Sequence, residues 1–290
     1  MQKDWLLLPA MWLALASIGW GAEPPFVPDL LIVRDGWKTS HADVRAVLEA
    51  TASEFWSQTP DRKIPPIIVH PQGGPIVYFQ RGPDQEYSVH LDTGERYWGQ
   101  YVYQFSHELC HILCQYDRDP HGQKWFEESL CELASIDTLR RMGNNWKQTN
   151  LPKYLKDFAP HLTTYAADRI EKGQLDAEQT LARWYAVHRQ ELEETATNRE
   201  LNTVVAVALL PLFEANPKAW RAVPYLNVAT PKGPQTFVEY LSDWKQNCPE
   251  ESQSVVDSIA EKFGLTLVPR EAMLPLPVGR RSRGVVHKEI

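Results

Sequence analysis

The 290-residue sequence predicts an α+β fold, with a small sheet in its first half and only helices after it. Three observations predict this fold. Short apolar runs bounded by turn residues recur between residues 30 and 91, as strands do. Apolar side chains recur at helical spacing in the segment that follows. After about residue 148 the strand signals fade, and the remaining patterns are helical.

The first half contains four predicted strands and three predicted helices. Ser40 with Asp43 predicts the start of the first helix, and Asp92 or Thr93 can cap the second. Gly82-Pro83-Asp84 predicts a turn between two strands. In chain order we predict a strand at 30–34, a helix at about 41–57, strands at 64–70, 76–80 and 87–91, a helix after residue 93, and a helix at 125–140 that ends at Gly143-Asn144-Asn145.

The second half is predicted to be a helical subdomain over residues 148–272, following an α+β subdomain over residues 23–147. It should form the other wall of any cleft in the first half. Its predicted helices are 177–196, 201–215, 217–226, 236–247 and 252–263. Residues 273–290 are rich in proline and then in basic residues, and we predict a disordered tail there.

The composition bounds the function. A hydrophobic content of 43% supports a buried core, and a net charge of −7 without a basic stripe argues against a nucleic-acid partner.

The first 22 residues have the pattern of a secretory signal peptide. Lys3 gives a short positive region, an apolar run covers 6–20, and the small residues Gly21 and Ala22 follow. The run is too short to span a membrane comfortably. We therefore predict an exported protein, periplasmic or extracellular, with no stable membrane span after cleavage; the alternative is an uncleaved amino-terminal anchor.

The most informative motif is His107-Glu108-Leu109-Cys110-His111, which fits H-E-x-x-H. On a helix, positions i and i+4 lie about 40° apart on one face. Two imidazoles at this spacing can bind one Zn²⁺, with Glu108 beside the open side of the metal. A catalytic zinc site needs three protein ligands and one position for water.

A second motif, Trp125-Phe126-Glu127-Glu128, lies on the next predicted helix. Together the two motifs resemble those of the gluzincins, the zinc metallopeptidases that include thermolysin and the aminopeptidase-N group. The resemblance covers roughly residues 64–142 and places Glu128 as the third ligand. Ser129 stands where aminopeptidases usually carry glycine, so the resemblance does not extend to amino-terminal exopeptidase specificity.

The resemblance implies a zincin-like fold and a set of roles. His107, His111 and Glu128 would bind Zn²⁺, and Glu108 would act as the general base. Glu132, one turn after Glu128, would accept a hydrogen bond from a ligand histidine; the alternative is a solvent-exposed carboxylate. Glu127 points about 100° away from Glu128 and is the fallback third ligand.

Two further roles follow from the resemblance. The strand at 76–80 would be the edge strand along which a peptide substrate adds; the alternative is an ordinary hairpin. A downstream tyrosine or histidine would stabilise the oxyanion, and no flanking motif selects among Tyr154, Tyr165, Tyr185 and His188.

Four cysteines remain in a compartment predicted to be oxidising: Cys110, Cys114, Cys131 and Cys248. A bridge from Cys131 to Cys110 or Cys114 would join the two ligand helices. Buried free thiols are the alternative. Thiolate ligation of zinc competes in principle, but two histidines and a glutamate already complete a catalytic ligand set.

We therefore predict an exported metallopeptidase with one Zn²⁺ per chain and a peptide or protein substrate. Two rivals stay open: a non-catalytic zinc protein that binds a peptide, and a zinc hydrolase that acts on a non-peptide amide. Retention of Glu108 argues against the first rival, because a pure metal scaffold has no need of that base.

Overall fold

A computed structural model of the chain describes residues 26–116, 122–148, 151–229 and 233–267. The predicted signal peptide and tail lie outside the described residues. Within them the structure is α+β, as the sequence predicts.

A four-stranded mixed sheet lies in the first half. Its order is β1-β2-β4-β3; β1–β2 and β2–β4 are parallel, and β3 is antiparallel to β4 at one edge. The strands are Leu30–Ile32 (β1), Ile67–His70 (β2), Ile76–Val77 (β3) and Tyr87–His90 (β4). Strand β3 is shorter than predicted, although the Tyr78 N–H still donates to the Ser88 carbonyl.

Three helices pack with this sheet: His41–Trp56 (α1), Trp98–Cys114 (α2) and Lys124–Asn145 (α3). Helix α1 connects β1 to β2, because parallel neighbours require a crossover. Helices α2 and α3 lie antiparallel and in contact along their length: Tyr103 meets Glu132, and His107 meets Glu128. They carry the two sequence motifs.

Helix α3 ends at Asn145, the last residue of the predicted stop Gly143-Asn144-Asn145, and Gly143 is still helical. A Cβ at Gly143 would lie 2.4 Å from the Thr163 Oγ1 of a neighbouring helix. Gly143 therefore permits close helix packing and is not itself the C-terminal cap, while the predicted end of the helix within Gly143-Asn144-Asn145 is confirmed.

The second half is helical and includes a region, residues 153–173, where the sequence analysis predicted no helix. Ala159, Leu162 and Ala166 are buried there at helical spacing. The predicted helix at 217–226 is a 3-10 helix, Pro217–Tyr225. The α-helices are Lys153–Lys156 (α4), Ala159–Gly173 (α5), Leu181–Glu194 (α6), Arg199–Ala215 (α7), Phe237–Asn247 (α8) and Glu250–Lys262 (α9).

One buried core contains side chains from both halves of the chain, so α3 is covered by helices of the second half. The division into two subdomains stays a prediction. Among the described residues, no helix is both long and apolar enough to cross a membrane.

Candidate metal centre

The three predicted ligand side chains converge between α2 and α3. The Glu128 Oε2 atom lies 3.3 Å from His107 Nε2 and 3.7 Å from His111 Nε2. In a tetrahedral centre with bonds of about 2.0–2.1 Å, ligand atoms lie about 3.3 Å apart. Glu128 Oε2 is therefore close enough to each imidazole to share a cation with it, while the group that includes both histidines and has every ligand atom within 4.8 Å of the others is His107, His111 and Cys131.

Glu127 is hydrogen-bonded to the ring nitrogen of His111 that faces away from Glu128. The His111 Nδ1–H donates to Glu127 Oε1 over 2.6 Å, which leaves Nε2 facing Glu128. Glu127 is fully buried, and its other oxygen accepts from Asn227 Nδ2 at 2.7 Å. The Tyr240 hydroxyl donates to Asn227 Oδ1 at 2.7 Å. A chain of hydrogen bonds thus fixes the tautomer and orientation of one candidate ligand.

The role predicted for Glu132 is corrected by this geometry. Its carboxylate accepts hydrogen bonds from Tyr103, Arg169 and Thr203, and Arg169 Nη2 lies 2.8 Å away. Helices α2 and α3 are antiparallel and Glu128 lies against His107. Moving one turn toward the end of α3, from Glu128 to Glu132, therefore moves one turn toward the start of α2, from His107 to Tyr103. Glu127 makes the histidine contact predicted for Glu132.

Glu108 lies beside the histidines and is almost fully buried. Burial raises the pKa of its carboxyl above the usual value, while the charges of His107 and His111 and a backbone hydrogen bond with Val77 act in the opposite direction. Val77 belongs to the edge strand β3, so the glutamate of the motif is in contact with that strand.

The charges of this cluster stabilise one another. Burial lowers the pKa of His111, but its hydrogen bond to Glu127 and the charges of Glu127, Glu128 and Glu108 raise it to about 10. Burial raises the pKa of Glu128, but the hydrogen bond with His107 and the charges of His111, His107 and Lys124 lower it to about 2. Without a cation, a proton on His111 supplies positive charge beside these carboxylates.

A cavity of about 410 Å³ opens over the ligand side chains. Ile76 and Val77 of β3 form one side, and Thr197, Arg199 and Asn202 from the start of α7 form the other. The candidate ligands and Glu108 therefore line a cavity that is open to solvent.

The four residues considered for the oxyanion lie elsewhere, and none of them lines this cavity. Tyr154 donates to Asp43 on the surface, and Tyr165 packs against Tyr103. Tyr185 stacks on Trp125, and His188 stacks on Trp184. Apart from the two histidines, the cationic side chains that line the cavity are Lys124, on the Glu128 helix, and Arg199, at the start of α7. No flanking motif marked Arg199 in the sequence.

All four cysteines are free thiols, so the predicted bridge is not present. The predicted proximity of Cys131 to the cysteines of α2 is confirmed, because the Sγ atoms of Cys110, Cys114 and Cys131 all lie within 4.8 Å of one another. Cys131 Sγ also lies within 4.8 Å of a ring nitrogen of both His107 and His111. The signal for this was its position three residues after Glu128, on the same face of α3.

Cys131 thus competes with Glu128 as the third ligand, and exposure separates the two. Glu128 lines the cavity, whereas Cys131 is fully buried among the other thiols. A centre that also held a water molecule would need access to solvent, which Glu128 has and Cys131 lacks.

Comparisons of the chain with protein-family models, with curated proteins and with solved structures found no match.

Proposed function

We propose that the protein is a zinc metallopeptidase of the gluzincin type, with a zincin-like fold. The observation that carries the proposal is the convergence of His107, His111 and Glu128 at the floor of an open cavity, with Glu108 beside them. The leader sequence supports export, which remains part of the proposal.

The donor set fits zinc. Two imidazole nitrogens and one carboxylate oxygen are the ligands of many catalytic zinc sites, and one position remains toward the cavity. Glu127 leaves His111 Nε2 available for the ion. Bound there, zinc would lower the pKa of a water molecule and polarise the scissile carbonyl.

Glu108 is the residue that moves protons. Its carboxylate would take a proton from the attacking water and deliver it to the leaving amine. Burial and the contact with Val77 hold this carboxylate in one place. A carboxyl whose pKa is raised by burial also suits a group that first accepts and then donates a proton.

The cavity walls support an extended peptide as the substrate. Strand β3 is an edge strand, so a peptide backbone could lie along Ile76–Val77 and pair with the backbone groups there that the contact of Val77 with Glu108 leaves available. Arg199 on the opposite wall would donate hydrogen bonds to the oxyanion that forms at the scissile carbonyl.

Zinc content tests the ligand set. Purified protein should contain about one zinc per chain by elemental analysis. Replacing His107, His111 or Glu128 with alanine should each lower occupancy, whereas His161→Ala, at an exposed histidine outside the cavity, should not. Full occupancy in all three ligand variants would overturn the site.

Glu108→Gln tests the chemistry. Glutamine keeps the shape of the side chain but cannot take a proton at neutral pH. Zinc should remain bound, and hydrolysis of a peptide mixture, followed by mass spectrometry, should fall by about 10²–10⁴-fold. Zinc-loaded wild-type protein that cleaves no peptide would favour a non-catalytic zinc protein, and cleavage of non-peptide amides alone would favour an amidase.

A further inference from the structure

A second group of metal-binding side chains lies beneath the candidate zinc site. Cys110 and Cys114 on α2 and Cys131 on α3 are fully buried, and their Sγ atoms all lie within 4.8 Å of one another. Cys110 Sγ and Cys114 Sγ are 4.0 Å apart. The proposed peptidase mechanism uses none of these thiols.

The spacing of the thiols suits a shared ion. Three sulfurs that each lie about 2.3 Å from one metal are about 4.0 Å apart in a trigonal arrangement. A disulfide between Cys110 and Cys114 does not fit, because Cβ atoms at i and i+4 on a helix are about 5–6 Å apart and a disulfide needs about 3.5–4.5 Å. Any bridge would therefore have to involve Cys131.

The chemistry of the group selects a soft ion of low charge. Thiolates prefer soft cations such as Cu(I), and a monovalent d¹⁰ ion is satisfied by two or three sulfur ligands. A structural zinc ion needs four ligands, and the buried group offers three. Cys114 is also the last residue of α2, where the helix dipole favours a cation.

We propose that Cys110, Cys114 and Cys131 form a closed site for one soft monovalent cation, of which Cu(I) is the representative, separate from the open site above it. At least two of the thiols lose their protons to solvent as the ion binds. The ion would enter past His107 and His111, because Cys131 lies next to both the thiols and the histidine nitrogens. This proposal does not rest on peptidase activity.

The first test is Cu(I) competition between the reduced, zinc-saturated protein and a chromophoric Cu(I) chelator, without oxygen. We expect one Cu(I) per chain and an unchanged zinc content. Cys131→Ser should weaken Cu(I) binding at least about 100-fold, in line with the loss of a metal ligand. Cys248→Ser is the matched control, since this buried thiol lies apart from the group and should leave binding unchanged. Equal Cu(I) affinity in Cys131→Ser would overturn the proposal.

A second test needs no variant. X-ray absorption at the copper edge should show two or three sulfur ligands at about 2.2–2.3 Å and no nitrogen. Nitrogen ligands, or the release of one zinc for each copper taken up, would assign the copper to the histidines and overturn the closed site. Four titratable thiols after unfolding without reductant are expected; two would mean a disulfide occupies the group instead. Zinc is measured in the same samples, so failure of the copper site and failure of the zinc site give different results.

Discussion

Glu127→Gln provides the sharpest test of how the candidate ligands are held. The Glu127 carboxylate accepts from His111 Nδ1 at 2.6 Å and from Asn227 Nδ2 at 2.7 Å. A glutamine has one acceptor oxygen, so it can satisfy only one of these donors, and it loses the negative charge that makes the imidazole a better ligand. Zinc affinity should fall by about 10–100-fold, or about 1.4–2.7 kcal/mol.

The matched control is Glu132→Gln, at a second buried carboxylate on the same helix. The Glu132 carboxylate accepts hydrogen bonds from Tyr103, Arg169 and Thr203, so weakening these bonds should lower the stability of the fold and leave zinc binding unaffected. We expect the free energy of unfolding in urea to fall by about 1–3 kcal/mol, with zinc affinity unchanged. Competition with a chromophoric zinc chelator measures both affinities. Equal losses of zinc affinity in the two variants would refute the assignment of the histidine contact to Glu127.

Three further predictions concern packing and the cavity wall. Gly143→Ala should lower the free energy of unfolding by about 1 kcal/mol, because overlap with Thr163 outweighs the gain in helix propensity, whereas Gly122→Ala, with open space around it, should not. Trp125→Ala should cost about 3–5 kcal/mol in denaturant unfolding, because this side chain is fully buried among aromatic rings. Arg199→Ala should slow peptide hydrolysis about 10²-fold with zinc content unchanged; an undiminished rate would remove Arg199 from the mechanism.

The sequence could predict the relative positions of site residues that lie on the same helix. Helical periodicity places His107 and His111 on one face, and both lie where that periodicity requires. The contact of Glu128 with both rings agrees with the resemblance of the second motif. The prediction for Glu132 was wrong because helical periodicity shows which face of α3 the side chain occupies, but not which residue of α2 lies opposite it.

Residues distant in the chain left no local signal. Asn227 lies 100 positions after Glu127, and nothing beside it in the sequence marks it as a partner of the site. Helix α5 is a different case: Ala159, Leu162 and Ala166 are buried at helical spacing, but two of the three are alanines, which mark a buried face less clearly than larger apolar side chains. The role of Asn227 depends on a tertiary contact that a local pattern does not encode, whereas the pattern of α5 is present in the sequence.

The hydrogen-bonded chain from His111 through Glu127 and Asn227 to Tyr240 links metal binding to the folding of the carboxyl-terminal half. If an ion binds only when all of these hydrogen bonds are formed, its binding stabilises α8, which carries Tyr240, together with the ligand helices. At a free zinc concentration of 100 times Kd, this linkage adds about 2.7 kcal/mol to the stability of the whole unit. A chelator would then increase amide hydrogen exchange in α8, although no residue of that helix is a candidate ligand.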